Sequence, residues 1–151
     1  MSKQPVIFTQ NISESIDEIL SRYSYDKLFV LTDRNTFKFA FPLLENSKLC
    51  SNAEQIIIEA DDTHKNLEAL TSVWKILSDK HAPRRSFMIN LGGGMVTDLG
   101  GFAASTFKRG IRYINIPTTL LGAVDAAVGG KTGINFNGLK NEIGVFNPAE
   151  S

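Results

Sequence analysis

The sequence is poor in the residues from which many active sites are built. Its 151 residues hold one cysteine, Cys50, and two histidines, His64 and His81. A lone cysteine excludes an intrachain disulfide and fits a reducing compartment, and Cys50 is expected to pack as a small, semi-buried hydrophobe. The histidines stand in no H-x-x-x-H or similar ligand spacing, so no catalytic zinc site is expected from these residues alone. An excess of charge is missing too, because 16 Lys and Arg balance 16 Asp and Glu. That balance argues against a nucleic-acid-binding or polybasic membrane surface, and leaves a small anionic ligand to be held by local charges. No apolar run approaches the roughly 18 residues of a membrane span. The segment from Met1 to Pro5 does not open a signal-peptide core. Repeats and low-complexity linkers are absent. These absences lead to the expectation of a cytoplasmic protein.

What is present is an ordinary globular composition, 42% hydrophobic and 21% charged, long enough for one domain with a core. Strand-like and helix-like segments alternate, which predicts an α/β domain with a mainly parallel sheet. Strands are expected at Val6–Phe8, Leu28–Leu31, Ile56–Ile58, Ser86–Leu91 and Arg112–Ile116, the last ended by Pro117. Ile16, Ile19, Leu20 and Tyr23 share a face of a helix expected near Ser15–Tyr23, with Ser15 and Glu18 spaced as a capping box. A helix after Asp33 is expected to be interrupted by Pro42. Another should run from about Thr63 to Lys80, capped by Asp62 or Thr63, with Leu67, Leu70, Trp74 and Leu77 on one face. A further helix is expected from Met95 to about Phe107. From Val128 to Pro148 the chain is rich in Gly and Asn and should form loops and short strands. Such a close to a domain suggests that the natural chain continues.

Two segments carry chemistry. In the first, a strand runs through Gly92-Gly93-Gly94 into a helix. Glycines let a backbone approach a pyrophosphate, and a helix start offers free N–H groups and a positive dipole end. The spacing is not G-x-G-x-x-G, and a tight turn without a ligand would also explain it. Asp33, just after a strand, suits a ribose hydroxyl or a helix cap. Asp62 and Lys65 are open in the same way, as a cap and a solvated charge or as ribose and adenine-side contacts. The second segment runs Pro117-Thr118-Thr119, Asp125, then Gly129-Gly130-Lys131-Thr132-Gly133. A lysine among glycines puts an ammonium beside exposed N–H groups, which suits a phosphate. Lys140-Asn141 and Arg109 add two more cations and an amide. Together the three cations favour an anion site over solvated surface.

Taken together, GGGMVTDLGGF (92–102), KRGIRYINIPTTLLGAVDAAVGGKTGIN (108–135) and LKNEIGVF (139–146) closely resemble the 3-dehydroquinate synthase family of the sugar-phosphate cyclase superfamily. Asp33 and the Asp62-x-x-Lys65 pair fall at family positions upstream. The resemblance implies a Rossmann-like α/β domain, a mainly parallel sheet flanked by helices. It implies that residues 1–151 are the N-terminal, NAD-binding part of a two-domain protein. The C-terminal, helical, metal-binding domain would lie beyond Ser151, so the chain would be a truncated domain, inactive alone.

The resemblance also implies residue roles. Asp33, Asp62, Lys65, Gly93, Gly94, Asp98, Thr118, Thr119, Lys131 and Lys140 would contact NAD. Lys131 and Asn141 would hold the substrate, chiefly its phosphate end. Arg109 would reach the substrate phosphate from the neighbouring subunit of a homodimer. Asp125 would lie by the nicotinamide and the reacting carbons, making Asp125, Lys131 and Asn141 the catalytic set. The implied activity is a carbon–oxygen lyase of the shikimate pathway to aromatic amino acids. It would convert 3-deoxy-D-arabino-heptulosonate 7-phosphate to 3-dehydroquinate and phosphate, with catalytic NAD and a divalent metal, zinc or cobalt, supplied with the missing domain. The chain departs from the family pattern at Asp62, where Glu is usual, at Thr97, where Gly is usual and the turn would be less permissive, and in the order Gly138-Leu139-Lys140-Asn141. The alternatives are a sibling cyclase such as a 2-deoxy-scyllo-inosose synthase, a metal-dependent polyol dehydrogenase with a similar domain, or a non-catalytic nucleotide-binding module.

Overall fold

A computed structural model describes residues 5–119, 122–123 and 130–151. Its centre is a sheet of four parallel strands, β1 (Lys27–Asp33), β2 (Glu54–Ile58), β3 (Ser86–Gly92) and β4 (Arg112–Pro117), in the order β2-β1-β3-β4. Strands in the middle of such a sheet are covered on both faces and therefore tolerate apolar residues throughout. Five of the seven residues of β1 and all seven of β3 are buried.

Alternate side chains of each strand feed different faces. On one face Leu28, Val30, Phe87, Ile89 and Leu91 meet Ile16 and Leu20 of α1 (Ile12–Ser21). On the other, Phe29, Leu31, Ile56 and Met88 meet α3 (Leu67–Asp79) through Leu70, Val73 and Leu77, and α4 (Gly94–Thr106) through Val96, Leu99 and Ala103. The short α2 (Arg34–Phe39) follows β1 and stops before a 3-10 turn at Phe41–Leu44 that contains Pro42. This is the α/β, Rossmann-like arrangement expected. A separate antiparallel hairpin, β5 (Lys131–Phe136) and β6 (Leu139–Phe146), packs against α4 and contributes Ile134 to the same core. Its turn, Asn137-Gly138, has φ of 53° and 75°. Positive φ at both central residues matches the twist of paired strands, and Asn-Gly is the residue pair best suited to it.

Several local expectations are corrected. Val6–Phe8 forms no strand and pairs with none of the described strands, and Phe8 is 93% exposed, so its apolar side chains join no core. The first helix begins at Ile12, where the Asn11 side chain accepts from the Glu14 N–H at 3.1 Å, and Ser15 instead bonds Thr9. The expected Thr63–Lys80 helix is split. Asp62–His64 is a 3-10 turn capped by Asp61, and α3 starts after Asn66, whose side chain accepts from the Ala69 N–H at 2.9 Å. Leu67 therefore precedes the buried face and stays exposed. Cys50 is fully rather than partly buried, and that burial pushes its thiol pKa up and leaves it unreactive.

Candidate functional site

The chain leaves β1 toward β2 on one side and crosses back to β3 on the other, so the strand order reverses between β1 and β3. At such a switch point the loops at the carboxyl ends of the strands splay apart and leave a crevice. Asp33 ends β1, the Asp61–Asn66 loop follows β2, Gly93 and Gly94 follow β3, and Thr118 and Thr119 follow β4. Four separate stretches of sequence thus meet at the carboxyl end of the sheet.

The start of α4 is unlike the other helix starts. Asn11, Asp33 and Asn66 cap α1, α2 and α3 with side-chain oxygens, whereas Gly93 caps α4 and offers none. The N–H groups of the first turn of a helix have no intrahelical partner, and among the described residues no side chain caps those of α4, which suits them to a ligand or water. Space is kept for an approach: a Cβ on Gly93 would stand 3.2 Å from Thr119 Cγ2. Thr119 closes the far side, its hydroxyl accepting from the Gly122 N–H at 3.0 Å, while the Thr118 N–H donates to the Gly92 carbonyl at 2.9 Å. Thr97, expected to stiffen this turn, is buried inside α4. Its hydroxyl donates to the Gly93 and Gly94 carbonyls at 3.3 and 3.2 Å, so it makes no claim on the first-turn N–H groups.

Asp33 is a helix cap, and its Oδ1 takes both the Thr36 N–H at 2.8 Å and the Thr36 hydroxyl at 3.2 Å. Both bonds use one oxygen, so capping does not consume the carboxylate. Lys65 is neither a solvated charge nor a free cation. Its side chain is 5% exposed, and its Nζ lies 3.1 Å from Asp98 Oδ2 and 3.6 Å from Asp62 Oδ1, and donates to Asn141 Oδ1 at 2.6 Å. Burial raises the Asp98 carboxyl pKa, the Lys65 hydrogen bond and charge pull it back, and Asp62 adds to the rise. Asp62 caps no helix; it is the half-exposed end of this charged group.

Asn141 reaches Lys65 because of an irregularity in the hairpin. Ile134 pairs with Ile143 and Phe136 with Leu139, so Asn135 alone stands opposite Lys140, Asn141 and Glu142. This bulge holds Asn141 at φ 53°. Bulges of this kind redirect side chains, and they recur beside functional sites. Asn135 was not singled out from the sequence, yet it makes three contacts. Its N–H donates to the Lys65 carbonyl at 2.7 Å and its Nδ2 to the Asp62 carbonyl at 3.1 Å, while its Oδ1 accepts the Asn141 N–H at 3.0 Å. The Asn-Gly pair two residues on was the available signal that a hairpin would place it.

The three expected cations do not converge within one chain. Lys140 is exposed at the bulge. Lys131 opens β5 opposite Phe146, four residues from Asn135, or ~13 Å at about 3.3 Å per residue. Arg109 lies before β4, at the opposite end of the sheet, in a groove with Ser105, Tyr113 and Asn147. The 13 residues of α4, about 20 Å of helix, separate it from Gly93. Asp125 lies outside the described residues. Among the described residues no three His, Cys, Asp or Glu side chains gather as metal ligands, and no helix is long and apolar enough to cross a membrane.

A family model described as 3-dehydroquinate synthase N-terminal matches residues 55–151. Curated relatives named 3-dehydroquinate synthase include those of Parabacteroides distasonis, 53% identical over 98% of this chain, and Alkaliphilus oremlandii, 40% identical over 94% of it. The chain spans 42% and 39% of those two proteins. Among solved structures, a 2-deoxy-scyllo-inosose synthase complexed with carbaglucose-6-phosphate, NAD+ and Co2+ matches with a TM-score of 0.80 at 25% identity, covering 91% of this chain and 39% of its own. A 2-epi-5-epi-valiolone synthase from Streptomyces hygroscopicus subsp. jinggangensis 5008, with NAD+ and Zn2+ bound, matches with a TM-score of 0.75 at 31% identity, covering 87% of this chain and 37% of its own.

Proposed function

We propose, from the premise that this chain belongs to the 3-dehydroquinate synthase N-terminal family, that it is the NAD-binding part of a 3-dehydroquinate synthase. The whole enzyme would convert 3-deoxy-D-arabino-heptulosonate 7-phosphate to 3-dehydroquinate and phosphate. The observation that carries the reading is the glycine-capped, uncapped-by-side-chain start of α4 at the switch point of the sheet, with acidic side chains on the neighbouring loops. The NAD+ bound in both of those solved relatives supports the same cofactor here. NAD, when bound, supplies hydride acceptance and return at a substrate alcohol carbon.

The residues at hand fit that cofactor. The first-turn N–H groups at Gly94 and beyond, capped by no described side chain, suit a pyrophosphate, with Gly93 leaving room and Thr118 and Thr119 bordering it. Asp33 and Asp62 suit ribose hydroxyls. Lys65 and Asp98 hold each other and present a neutral pair, and Lys140, exposed beside them, remains for a phosphate. In this reading Lys131, Asn141 and Asp125 serve the substrate. Arg109, remote from α4's start, reaches its phosphate only in a homodimer. A divalent metal, zinc or cobalt, takes its ligands from a further, helical domain of the longer protein, and this chain alone does not turn over. The single cysteine supports a cytoplasmic location.

Calorimetric titration of NAD+ into this chain tests the reading, beside Lys140→Ala and Asp98→Ala. Saturable binding that both changes weaken is the expected result. A folded chain that takes up no NAD+, or variants that bind as well as the parent, would overturn the residue assignment. The sibling cyclases give the second reading, since the two solved relatives named above are of that kind, but their identity of 25–31% falls below the 53% shared with a 3-dehydroquinate synthase. Assay of the full-length protein against each sugar phosphate separates the two.

A further inference from the structure

We infer that Asn135 is the positioning residue of this site, a clasp that fixes the Asp62–Lys65 loop and Asn141 relative to each other. The inference rests on the cofactor reading above for what the site binds, but not for the clasp itself.

Three segments distant in sequence must meet for the site to form: the loop after β2, the first turns of α4, and the β6 bulge. Lys65 links the second and third through its ammonium, which touches Asp98 and Asn141. An ammonium on a four-carbon stem is a flexible partner, and it cannot fix backbone by itself. Asn135 supplies the backbone link. Its main-chain N–H and its Nδ2 bind the carbonyls of Lys65 and Asp62, at 2.7 and 3.1 Å, holding that loop by two points. Its Oδ1 takes the Asn141 N–H at 3.0 Å, which the interrupted ladder leaves without a cross-strand carbonyl. That bond replaces the missing ladder bond at a residue held in the left-handed region, φ 53°. A non-glycine residue keeps such a conformation only when its surroundings over-determine it.

The contacts form a closed ring: Asn135 to the Asp62–Lys65 backbone, Lys65 Nζ to the Asn141 side chain, and the Asn141 N–H back to Asn135. The ring needs a donor and an acceptor on one short planar group. Asparagine has both. Aspartate keeps the acceptor but turns a second oxygen on the Asp62 carbonyl, and alanine has neither. Asn135 itself is turned toward protein, so it acts on a ligand through Asp62, Lys65 and Asn141.

The test compares the parent chain with Asn135→Ala and Asn135→Asp by three measurements: amide hydrogen exchange at Asn141, NAD+ affinity by calorimetry, and the unfolding midpoint. In Asn135→Ala, exchange at Asn141 should accelerate at least tenfold and NAD+ affinity should fall about tenfold, with the core still folded. In Asn135→Asp, Asn141 should keep its protection while NAD+ affinity falls, because only the hold on Asp62 is lost. A residue that merely stabilises the hairpin would not separate those two effects. Unchanged exchange at Asn141 in Asn135→Ala would overturn the clasp. So would a lowered midpoint with NAD+ affinity intact. Should the parent chain bind no NAD+, the cofactor reading falls by itself, and the exchange comparison still decides the clasp.

Discussion

Helices α3 and α4 each have 13 residues and pack side by side on one face of the same sheet, yet they are built on opposite plans. α3 buries Leu70, Val73 and Leu77, exposes the Lys75–Asp79 ion pair, and is closed at its start by Asn66. α4 buries eight of its residues, carries Asp98 as its one charge, and starts at a glycine with no capping side chain. A helix with solvent on one side needs only a stripe of apolar residues. α4 lies between the sheet and the β5–β6 hairpin, so it is apolar nearly all round, and two glycines let its neighbours come close. A Cβ on Gly100 would run into the Asn90 carboxamide and stand 2.7 Å from Leu31 Cδ2. α3 thus satisfies its own start with a side chain, whereas α4 is anchored by burial on nearly all sides and starts at an end that no described side chain caps.

The largest expected effect tests that burial. Gly100→Ala should destabilise the chain by roughly 3 kcal/mol despite the better helix propensity of alanine, because packed sheet atoms must move. Ser72→Ala, on the exposed side of α3, should stay within about 0.5 kcal/mol. Urea unfolding of both measures the contrast, and equal midpoints would break it.

Lys65→Met comes next. It strips the partner from Asp98 and should cost about 2 kcal/mol at pH 7, less than a fully buried pair because Asp98 keeps some solvent. The sign of its pH dependence follows from the Asp98 carboxyl, whose pKa in the fold lies above the ordinary 3.8. The folded chain therefore binds that proton more tightly than the unfolded one, and the penalty for ionised Asp98 is present above the raised pKa. As pH falls through the raised pKa toward 3.8 the penalty is relieved, so the gap between Lys65→Met and its parent should close. A gap that widens on acidification would contradict the pairing.

The smallest effects sharpen the comparison of the two starts. Asn66→Ala should cost about 1 kcal/mol, the usual loss for an N-cap, and leave NAD+ binding nearly unchanged. Gly93→Ala should change stability by under about 0.5 kcal/mol, since its backbone is extended and Thr119 can yield, yet weaken NAD+ about tenfold. Thermal unfolding and calorimetry on the same two variants give the crossing pattern, and parallel behaviour would show that both starts are merely structural.

Much of this architecture is legible in the sequence. Leu28–Leu31 and Ser86–Leu91 announced strands covered on both faces, and Gly92-Gly93-Gly94 announced a turn open to a ligand. Helix starts were less legible, because Ser15, Asp62 and Thr63 have the same capping chemistry as Asn11, Asp61 and Asn66, and only backbone direction chooses among them. The hairpin was obscured by its glycines and polar residues. Asn135 was invisible for a different reason: its partners Asp62 and Lys65 are more than 60 residues away, and no local pattern encodes such a pairing.

The α/β alternation, the glycine turn at the end of β3 and the family are written in periodicity or in contiguous motifs, and no tertiary contact is needed to read them. The burial of Lys65 between Asp98 and Asn141, the separation of Lys131 and Arg109 from Lys140, and the bulge that aims Asn141 arise only when the chain packs. Those depend on strand order and on how a hairpin seats against α4, and a chain's contacts across tens of residues are set by packing as a whole, not by the residues nearest in sequence.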